Sequence, residues 1–428
     1  MSKFNTTGDA LKFLDSIPQF GISGMKAANF SLGNMYRFCE RMENPQKSLT
    51  SVHVAGTNGK GTVCQMLASV YQTAGYRTAL YTSPHLLRFN ERIRVNAIEI
   101  KDTDILTFFQ LYEQDLEEIR LTYFELSTCL AFWYFARQKV DIAIIETGLG
   151  GRLDATNVID PAVTVITSVS YDHMQILGSD IKRIAYEKAG IIKFGKPVVI
   201  GNLTEEARSV VSETADIKKS MLVDSMCLKP VFDKNKIILN QFVNRIEMEA
   251  GGRKLIDAEN AAICYSVFEL LRNYFKISDP EFVEGIQKTD VYYPEHAHFQ
   301  KLHPELNWFF DGAHNMQAVK SLSYQLKQLA PIEKWHVFLS MMEDKVSLEI
   351  LNHFQNTRKI YYYQLNAGRA AHYSVIKKYL KKAENLNDIE NIPELLQSLK
   401  TELVIFTGSF YFYSTVMHWL GTDAASID

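Results

Sequence analysis

The sequence lacks the features that would place it at once among disulfide-rich, nucleic-acid-binding or secreted proteins. Its five cysteines are scattered over 428 residues and form no CxxC pair, so neither a disulfide framework nor a zinc site is expected. Lys and Arg number 46 against 49 Asp and Glu, a formal net charge of −3, which argues against a protein that coats nucleic acid. Residues 1–20 contain no apolar run of secretory length and predict a short amphipathic helix. A cytoplasmic globular protein of two or three domains is therefore expected.

Long apolar runs are also scarce, and one stretch has to be considered as a membrane span. Leu403–Leu420 contains no Asp, Glu, Lys or Arg, but Thr407 and Ser409 are polar and Gly408 marks a turn after the first five residues. The pattern predicts a buried strand, a Gly-Ser turn and a packed aromatic helix. No contact with a membrane is expected.

The sequence does contain short apolar runs, rich in β-branched residues, that alternate with helical periodicity. Runs without polar alternation are typical of parallel strands that are buried on both faces. Five of them lie in the first half of the chain: Ser51–Ala55, Thr78–Tyr81, Asp141–Glu146, Ala162–Thr167 and Pro197–Ile200. Helical patterns such as Val63–Ala74 and Phe124–Ala136 lie between them. The alternation predicts an α/β fold with a doubly wound, mainly parallel sheet.

A second, smaller α/β pattern follows the first one. Between Met221 and Ile256 the texture changes to alternating apolar and polar residues, which predicts a few antiparallel strands at the edge or side of the first domain. The polar stretch Tyr292–Lys301 then precedes new strand-like runs, which are Trp308–Phe310, Trp335–Leu339, Lys359–Tyr363 and Leu403–Thr407. We therefore predict a nucleotide-binding domain over residues 1–297 and a smaller α/β domain over residues 298–428.

The strongest local signal is HVAGTNGKGT, residues His53–Thr62, which follows an apolar strand and opens a helix. Its glycines allow a tight turn that brings N–H groups against phosphate oxygens, and the helix N-terminus adds a favourable dipole. Lys60 can reach the terminal phosphates of ATP or GTP, and Thr62 can offer its hydroxyl to magnesium. The alternative is a glycine-rich turn with an exposed lysine, since Gly61 separates the Lys from the Thr and the common GxxxxGK[ST] pattern is not met. The predicted nucleotide-binding residues are Gly56, Thr57, Asn58, Gly59, Lys60, Gly61 and Thr62.

Polar residues also follow other predicted strands of the same sheet. Ser83, Glu146 and His173 each lie beyond the carboxyl end of a strand, and these ends converge at one edge of a doubly wound sheet. Together with Thr62 they are predicted to hold magnesium beside the phosphates. Hydroxyl and carboxylate oxygens suit this hard cation, whereas an imidazole ligand is less usual. Taken singly, Glu146 could be a helix cap or a surface acid, and His173 a loop histidine.

Seven segments of the chain resemble the folylpolyglutamate synthase/dihydrofolate synthase family, which belongs with the Mur ligases. They are GTNGKGT, SPHLLRFNERIRV, TYFELST, ETGLGGRLDATNV, DHMQILG, EKAGIIK and DGAHN. The resemblance covers essentially the whole chain and is dense from His53 to Lys193. GTNGKG is shared with the wider superfamily, whereas SPHL…FNERI together with GGRLDATN is specific to the folate branch. The resemblance implies a Mur ligase-like fold, with an ATP-binding domain followed by a glutamate-ligase domain, and a monomer.

The resemblance also implies a reaction. ATP phosphorylates a carboxylate of a folate-type substrate, and the amino group of L-glutamate attacks the acyl phosphate to form an amide. A free carboxylate is a poor electrophile, so catalysis consists mainly of positioning and of charge neutralisation during phosphoryl transfer. Lys188 matches the lysine that is carbamylated in this superfamily, and its carbamate would be a further magnesium ligand. A plain cation near phosphate is the alternative for Lys188.

Further roles are implied for residues whose own pattern is not diagnostic. Asp311 and His314 of DGAHN match residues that bind the nucleotide and the incoming amino acid, and Asn260 matches an asparagine near the adenine. Ser409 is a candidate for glutamate binding, with a helix cap as the alternative. The folate-type substrate is expected at Ser83, Arg88, Arg92, Phe124, Glu125, Gly151, Arg152, Asp154, Ala155 and His314, although Arg88 and Arg92 could also be surface arginines. The residues expected to act in catalysis are Lys60, His173, Lys188, Asp311 and His314.

Three positions depart from the family pattern. His296, in YPEHAH, stands where the family has an arginine that reaches the ATP phosphates, and a mostly neutral imidazole replaces that cation poorly. The sequence Asp344-Lys345-Val346 has lost one acid of a DKD-like motif, and the segment IDAEN before and including Asn260 is altered. The departures leave open a non-catalytic or repurposed nucleotide- or folate-binding paralogue. A cell-wall peptide ligase is disfavoured, because no extra N-terminal UDP-binding domain is evident.

Within the family the substrate also stays open. Dihydrofolate synthase joins the first glutamate to dihydropteroate, whereas folylpolyglutamate synthase extends an existing glutamate tail. The RLDATN form resembles bacterial enzymes that carry out the first reaction and often both.

Overall fold

The computed structural model describes residues 2–17, 31–240, 245–250, 255–294 and 296–421. Residues 1 and 18–20 of the predicted N-terminal helix, parts of the predicted antiparallel segment and Glu295 of the predicted linker lie outside these ranges. The described residues form two compact units. The first contains those up to Pro294 except Leu86–Arg88, and the second contains Leu86–Arg88 and those from 296 onward. Among the described residues, no helix has both the length and the apolar character that crossing a membrane requires.

The first unit alternates strands and helices. Its strands are β1 Ser51–Ala55, β2 Thr78–Tyr81, β3 Ile93–Val95, β4 Ile98–Glu99, β5 Ile142–Glu146, β6 Val163–Ile166, β7 Val198–Ile200, β8 Leu222–Asp224, β9 Val231–Asp233, β10 Lys236–Asn240 and β11 Arg245–Glu249. Its described helices are α1 Thr7–Ser16, α2 Gly33–Arg41, α3 Lys60–Thr73, α4 Asp102–Leu111, α5 Glu113–Glu118, α6 Tyr123–Arg137, α7 Met174–Leu177, α8 Ile181–Ala189, α9 Glu205–Ile217, α10 Leu255–Leu271, α11 Asp279–Gln287 and α12 Thr289–Tyr292. The predicted α/β alternation is confirmed.

An eight-stranded sheet in the order β4-β3-β2-β5-β1-β6-β7-β8 forms the centre of this unit. Neighbours from β2 to β8 pair in parallel, while β3 and β4 add an antiparallel edge. Strand β1 lies in the middle, paired with β5 on one side and β6 on the other, and each of its residues is buried. The chain winds outward in both directions from this point, so a ligand is expected beyond the carboxyl ends of β1, β5 and β6.

Helices cover both faces of the sheet. Residues of α3, α10 and α11 form one core cluster with the sheet, and residues of α1, α2, α4 and α6 form another on the opposite face. The segment predicted to contain antiparallel strands behaves in two ways. Strands β9 to β11 form their own antiparallel sheet, and its Ile237 and Met248 join the first cluster. Strand β8, at the start of that segment, instead extends the large sheet in parallel, because it follows α9 as another strand of the α/β alternation.

The second unit contains a smaller, six-stranded sheet in the order β12-β13-β17-β14-β15-β16, which is parallel except for β12. Its strands are β12 Gln300–Lys301, β13 Trp308–Asp311, β14 Trp335–Leu339, β15 Lys359–Tyr362, β16 Glu384–Asn385 and β17 Leu403–Thr407. Its helices are α13 Met316–Leu329, α14 Leu348–Asn352, α15 Tyr373–Tyr379, α16 Ile392–Ser398 and α17 Tyr413–Trp419. The predicted strand, turn and aromatic helix at the end of the chain are confirmed as β17, Gly408–Ser409 and α17.

Candidate active site

The phosphate loop connects β1 to α3, and its last residue requires glycine. Gly59 has φ +83°, in the left-handed region, and a Cβ there would lie 2.8 Å from Oδ1 of Asn260 in α10. Gly59 supplies no capping side chain, and the first amides of a helix such as α3 have no partner inside the helix. This arrangement suits an anion at the helix N-terminus. It also brings Asn260 against the loop, which is where the resemblance expects the adenine-side asparagine.

The loop is held by Thr167 and Ser168, the two residues that follow β6. The amide of Thr57 donates to the carbonyl of Ser168 (2.9 Å), and the amide of Asn58 donates to Oγ of Ser168 (2.9 Å). Thr167 donates its hydroxyl to the carbonyl of Asn58 (2.7 Å) and lies where a Cβ on Gly56 would be. The sequence interpretation missed Thr167 and Ser168, although their position at the end of a predicted strand was an available signal.

Lys60 and Glu146 meet at the mouth of this loop. The Lys60 Nζ lies 3.9 Å from Oε1 of Glu146, and the Ser83 amide donates to Oε2 of Glu146 (3.0 Å). Glu146 is 4% exposed, and its burial raises the pKa to about 7, although Lys60 and the Ser83 amide act in the opposite direction. A buried carboxylate with a raised pKa lacks enough positive charge around it. A bound cation would favour the ionised form of this carboxyl and lower its pKa.

The donor set at Glu146 fits magnesium. This ion prefers oxygen ligands and keeps several of its waters, so one carboxylate with hydroxyl and phosphate oxygens can hold it. A Cβ built on Gly61 would lie 4.0 Å from Oε2 of Glu146, and Thr62 is the next residue. Ser83 contacts the same carboxylate through its backbone amide. Within the described ranges, no cluster of three or more His, Cys, Asp or Glu side chains suits a metal. Magnesium binding by Glu146, Thr62 and Ser83 stays a prediction.

His173 and Lys188 occupy different environments. His173 has φ +47° before α7, and its Nε2 lies 3.7 Å from Oδ2 of Asp172. Lys188 in α8 is buried and donates from Nζ to the carbonyl of Gly56 (2.8 Å), so this lysine reaches the phosphate loop. Magnesium binding by His173 and carbamylation of Lys188 stay predictions.

The GGRLDATN loop packs against α8. The Arg152 guanidinium pairs with the carboxylate of Glu187 (Nη2 to Oε1, 2.9 Å) and lies 5.7 Å from the ring centre of Tyr186. A Cβ on Gly151 would lie 2.9 Å from the carbonyl oxygens of Glu187 and Lys188, so only glycine fits there. These contacts give Gly151 and Arg152 a structural reason to be in the loop, and their substrate-binding roles stay predictions.

Asp154 and Ala155 are buried in the same loop. Oδ2 of Asp154 accepts a hydrogen bond from the Leu149 amide (2.7 Å), and Oδ1 accepts one from the Thr156 amide (3.0 Å). Desolvation raises the pKa of Asp154 despite these hydrogen bonds. Asp154 in turn raises the pKa of Glu146, which indicates that the two carboxylates share one region.

Phe124 and Glu125 begin α6 and differ in what they contact. The ring of Phe124 lies over Gly148, where a Cβ would be 2.5 Å from Cζ, so this ring borders the start of the GGRLDATN loop. Glu125 closes a capping box, in which its Oε2 accepts from the amide of Thr122 (2.7 Å) and its own amide donates to the Thr122 hydroxyl. Glu125 thus stabilises the helix start, and its contact with substrate stays a prediction.

Arg92 is not a surface arginine. It is 6% exposed, its Nε donates to Nδ1 of His85 (2.8 Å), and its guanidinium lies 5.3 Å from the ring centre of Tyr123. Burial and the Arg92 charge lower the pKa of His85 to about 3, so this imidazole is neutral with its proton on Nε2. The sequence interpretation did not identify His85 as the partner. Arg88, by contrast, is exposed and grouped with the second unit.

In the second unit, Asp311 and His314 are fixed by backbone groups. Asp311 accepts from the amides of Phe299 (Oδ2, 2.9 Å) and Ala313 (Oδ1, 2.8 Å). Nδ1 of His314 lies 2.7 Å from the carbonyl of Gly312, so Nδ1 must carry a proton. The ring of Phe410 packs edge-on against His314, with ring centres 5.6 Å apart.

The remaining predicted residues of this unit have structural partners. Oγ of Ser409 accepts from the Tyr411 amide (3.2 Å), so the helix-cap alternative is realised and glutamate binding stays a prediction. The ring of His296 lies 6.3 Å from that of Tyr413. Asp344 accepts from Nη2 of Arg369 (2.6 Å), a partner that the sequence interpretation did not identify.

Comparisons with known proteins agree with this geometry. A family model of the Mur ligase middle domain matches residues 54–227. The dihydrofolate synthase/folylpolyglutamate synthase of Bacillus subtilis is 33% identical, with 96% of this chain and 99% of the relative covered. The enzyme of the same name from Escherichia coli is 34% identical over 68% of this chain and 67% of its own length.

Solved structures are similar over nearly the full length. E. coli FolC in complex with DHPP and ADP has a TM-score of 0.84 and 26% identity, and the alignment covers 98% of this chain and 99% of that one. A bifunctional folylpolyglutamate synthase/dihydrofolate synthase with Mn, AMPPNP and L-glutamate bound has a TM-score of 0.85 and 28% identity, with the same coverage. The motifs, the fold and these full-length relatives agree, and the chain belongs to the dihydrofolate synthase/folylpolyglutamate synthase family.

Proposed function

We propose that the protein is an ATP-dependent ligase that joins L-glutamate to the carboxylate of a folate-type substrate, either dihydropteroate or a folate with a glutamate tail. The observation that carries this proposal is the meeting of Lys60 and the buried Glu146 carboxylate at the mouth of the phosphate loop, 3.9 Å apart. Full-length relatives with both enzyme names support it, as do similar structures that hold ADP, AMPPNP with Mn, and L-glutamate.

The chemistry requires two displacements. A substrate carboxylate oxygen attacks the γ-phosphorus of ATP, the bond to the β-phosphate oxygen breaks, and ADP leaves. The amino nitrogen of glutamate then attacks the acyl carbon and loses a proton, and phosphate leaves with the oxygen that carried it. Magnesium, when bound, supplies charge neutralisation on the phosphates.

The residues predicted to bind phosphate, magnesium and glutamate have the following tasks in this scheme. The loop amides and Lys60 bind the phosphates, and Glu146 with the hydroxyls of Thr62 and Ser83 would hold magnesium. In the second unit, Asp311 and His314 would bind the nucleotide and the glutamate. We propose accordingly that residues 1–297 are the ATP-binding domain and residues 298–428 the glutamate-ligase domain.

The test is phosphate release by the purified full-length protein with ATP, magnesium and bicarbonate. Release should require both L-glutamate and a folate-type substrate, and mass spectrometry should show a product that is longer by one glutamate. Lys60→Met keeps the length of the side chain without its charge and should abolish release, whereas a substitution of the exposed Lys12, in α1, should not. Release without L-glutamate, or none with either dihydropteroate or tetrahydrofolate, would contradict the proposal. The ratio of rates with these two substrates assigns the enzyme to one reaction or to both.

His296 motivates a second candidate function, a nucleotide- or folate-binding protein without ligase turnover. The resemblance implies an arginine at this position that reaches the ATP phosphates, and the imidazole of His296 lacks its permanent charge. This candidate predicts ATP binding by calorimetry without glutamate-dependent phosphate release. Under it, His296→Arg should create or raise release, while an active wild-type protein would exclude it.

A further inference from the structure

Three buried residues of the first unit form a hydrogen-bonded chain that the proposed reaction scheme does not use. Nε2 of His53 lies 2.8 Å from Oγ1 of Thr156, and the Thr156 hydroxyl donates to Oδ1 of Asp154 at 2.5 Å. His53 and Thr156 are fully buried and Asp154 is 5% exposed. The chain links β1, the strand that leads into the phosphate loop, to the GGRLDATN loop after β5.

The direction of each hydrogen bond follows from proton counts. Thr156 donates its single hydroxyl proton to the ionised Asp154 carboxylate, which can only accept, so the Thr156 oxygen must accept from His53. Hence His53 carries its proton on Nε2. Its Nδ1 then carries a lone pair and no proton. This atom has no hydrogen-bond partner among the described residues, so the tautomer leaves no buried N–H donor unpaired. Burial lowers the pKa of His53 to about 3, so the imidazole stays neutral.

At its other end the chain organises the loop. The Asp154 carboxylate accepts from the Thr156 hydroxyl and also from the amides of Thr156 (3.0 Å) and Leu149 (2.7 Å). These hydrogen bonds join the start and the end of the segment 149–156. Asn157 also stabilises this loop, since its Nδ2 donates to the carbonyls of Arg152 (2.9 Å) and Gly190 (3.1 Å). Without His53, the loop would keep its internal bonds but lose this side-chain link to β1.

We propose that His53 is a positioning residue for the substrate loop, and that it acts through Thr156 to fix Asp154 against the strand that carries the phosphate loop. The proposal rests on the proposed function in one respect, namely that the folate-type substrate binds at residues 148–157. His53 lies only three positions before Gly56, yet its hydrogen bond points to the substrate loop. Its removal should therefore affect the binding of the folate-type substrate and leave ATP binding largely unchanged.

Matched variants separate this role from general support of the core. Thr156→Val and His53→Phe remove one member of the chain each with little change in volume, and both should raise the KM for the folate-type substrate about tenfold, because a hydrogen bond toward a charged group is lost. The KM for ATP should change less than about twofold. Thr156→Ser keeps the hydroxyl and His53→Gln can place an amide N–H near the position of Nε2, so both should restore wild-type KM values. Ser51→Ala is the control, since Ser51 is buried in the same strand and its hydroxyl has no partner among the described residues.

Hydrogen exchange gives a second measurement that needs no turnover. Peptides that cover residues 148–157 should exchange faster in Thr156→Val and His53→Phe than in wild type, Thr156→Ser or Ser51→Ala. If the Phe variant fails to fold, His53→Asn replaces it, because its amide ends short of Thr156 and should behave as a loss of the link. Unchanged exchange in this segment, or equal increases in both KM values, would overturn the positioning role. A wild-type protein without folate- and glutamate-dependent release would refute the proposed function, and the exchange result would still decide the role of His53.

Discussion

Glu146→Gln should make the protein more stable at alkaline pH while it removes magnesium-dependent turnover. Glu146 is 4% exposed, and neither the hydrogen bond that its Oε2 accepts from the Ser83 amide nor the Lys60 Nζ at 3.9 Å offsets the desolvation of its charge. Gln has nearly the shape of the protonated carboxyl and needs no desolvation of a charge. The burial of this charge therefore destabilises the protein at pH values at which Glu146 is ionised and no cation is bound.

The magnitude follows from the pKa. Glu146 has an ordinary pKa of 4.5 and a folded-state pKa of about 7. Between these values the folded state binds more protons than the unfolded state, so stability falls as pH rises from about 4.5 to about 7 and is then constant. At about 1.4 kcal/mol per pH unit the full interval corresponds to roughly 3 kcal/mol. Relative to wild type, the melting temperature of Glu146→Gln should rise by about 5 °C between pH 5 and pH 8.

The assay is thermal unfolding of both proteins at pH 5 and pH 8 with a chelator present, so that no magnesium contributes. Other titrating groups are common to the two proteins, and their effect cancels in the difference. Glu125→Gln is the matched control, because it makes the same substitution at another buried carboxylate. Glu125 accepts a hydrogen bond from the Thr122 amide and stabilises the start of α6. A difference between wild type and Glu146→Gln that is the same at both pH values would refute the reasoning. Added magnesium should stabilise wild type and leave the variant unchanged.

Two glycine substitutions provide further tests, each with its own control. Gly59→Ala should raise the KM for ATP about tenfold or more, because the methyl group would meet Asn260 and a left-handed backbone costs about 1–2 kcal/mol in a residue with a Cβ. Gly75→Ala is the control, since Gly75 has φ +87° and nothing within 4 Å of its Cβ position. It should lower stability without changing the KM for ATP. Gly312→Ala should destabilise the second unit and reduce turnover, since a Cβ there would overlap the ring of Phe410. Gly312→Ala combined with Phe410→Leu should regain part of the lost stability. An unchanged melting temperature of the single variant would contradict this packing.

Much of the fold could be predicted because its strands are short apolar runs with clear ends. Strands β1, β2, β14 and β17 have the predicted boundaries, since a turn residue or a change to helical periodicity bounds each of them. Strands β3 and β4 were not predicted. They are short and less buried. Strand β3 pairs antiparallel with the edge of β2, and β4 pairs antiparallel with β3, contacts that periodicity does not reveal. The parallel pairing of β8 was hidden for the same reason.

The candidate site was predictable where a residue type and its place after a strand define the chemistry, as for Lys60 and Glu146. It was not predictable where a tertiary neighbour defines the role. Arg92 is buried because His85 and Tyr123 surround it, and neither contact has a sequence pattern. His53 looked like an ordinary strand residue before the phosphate loop, and only the fold shows its hydrogen bond to a residue 103 positions later.

The structure also reduces the weight of two of the three departures from the family pattern. In the altered segment IDAEN, Asn260 still lies against Gly59 of the phosphate loop, the position that the resemblance implies for it. Val346 packs against the core of the second unit, and Asp344 of the same motif keeps its ion pairs, so the lost acid leaves no unpaired charge at that position. His296 is then the departure whose effect on turnover has to be measured. If wild type releases phosphate only with L-glutamate and a folate-type substrate, an arginine at position 296 is dispensable in this chain. If wild type binds ATP without phosphate release and His296→Arg restores release, the imidazole is the reason why the protein does not turn over.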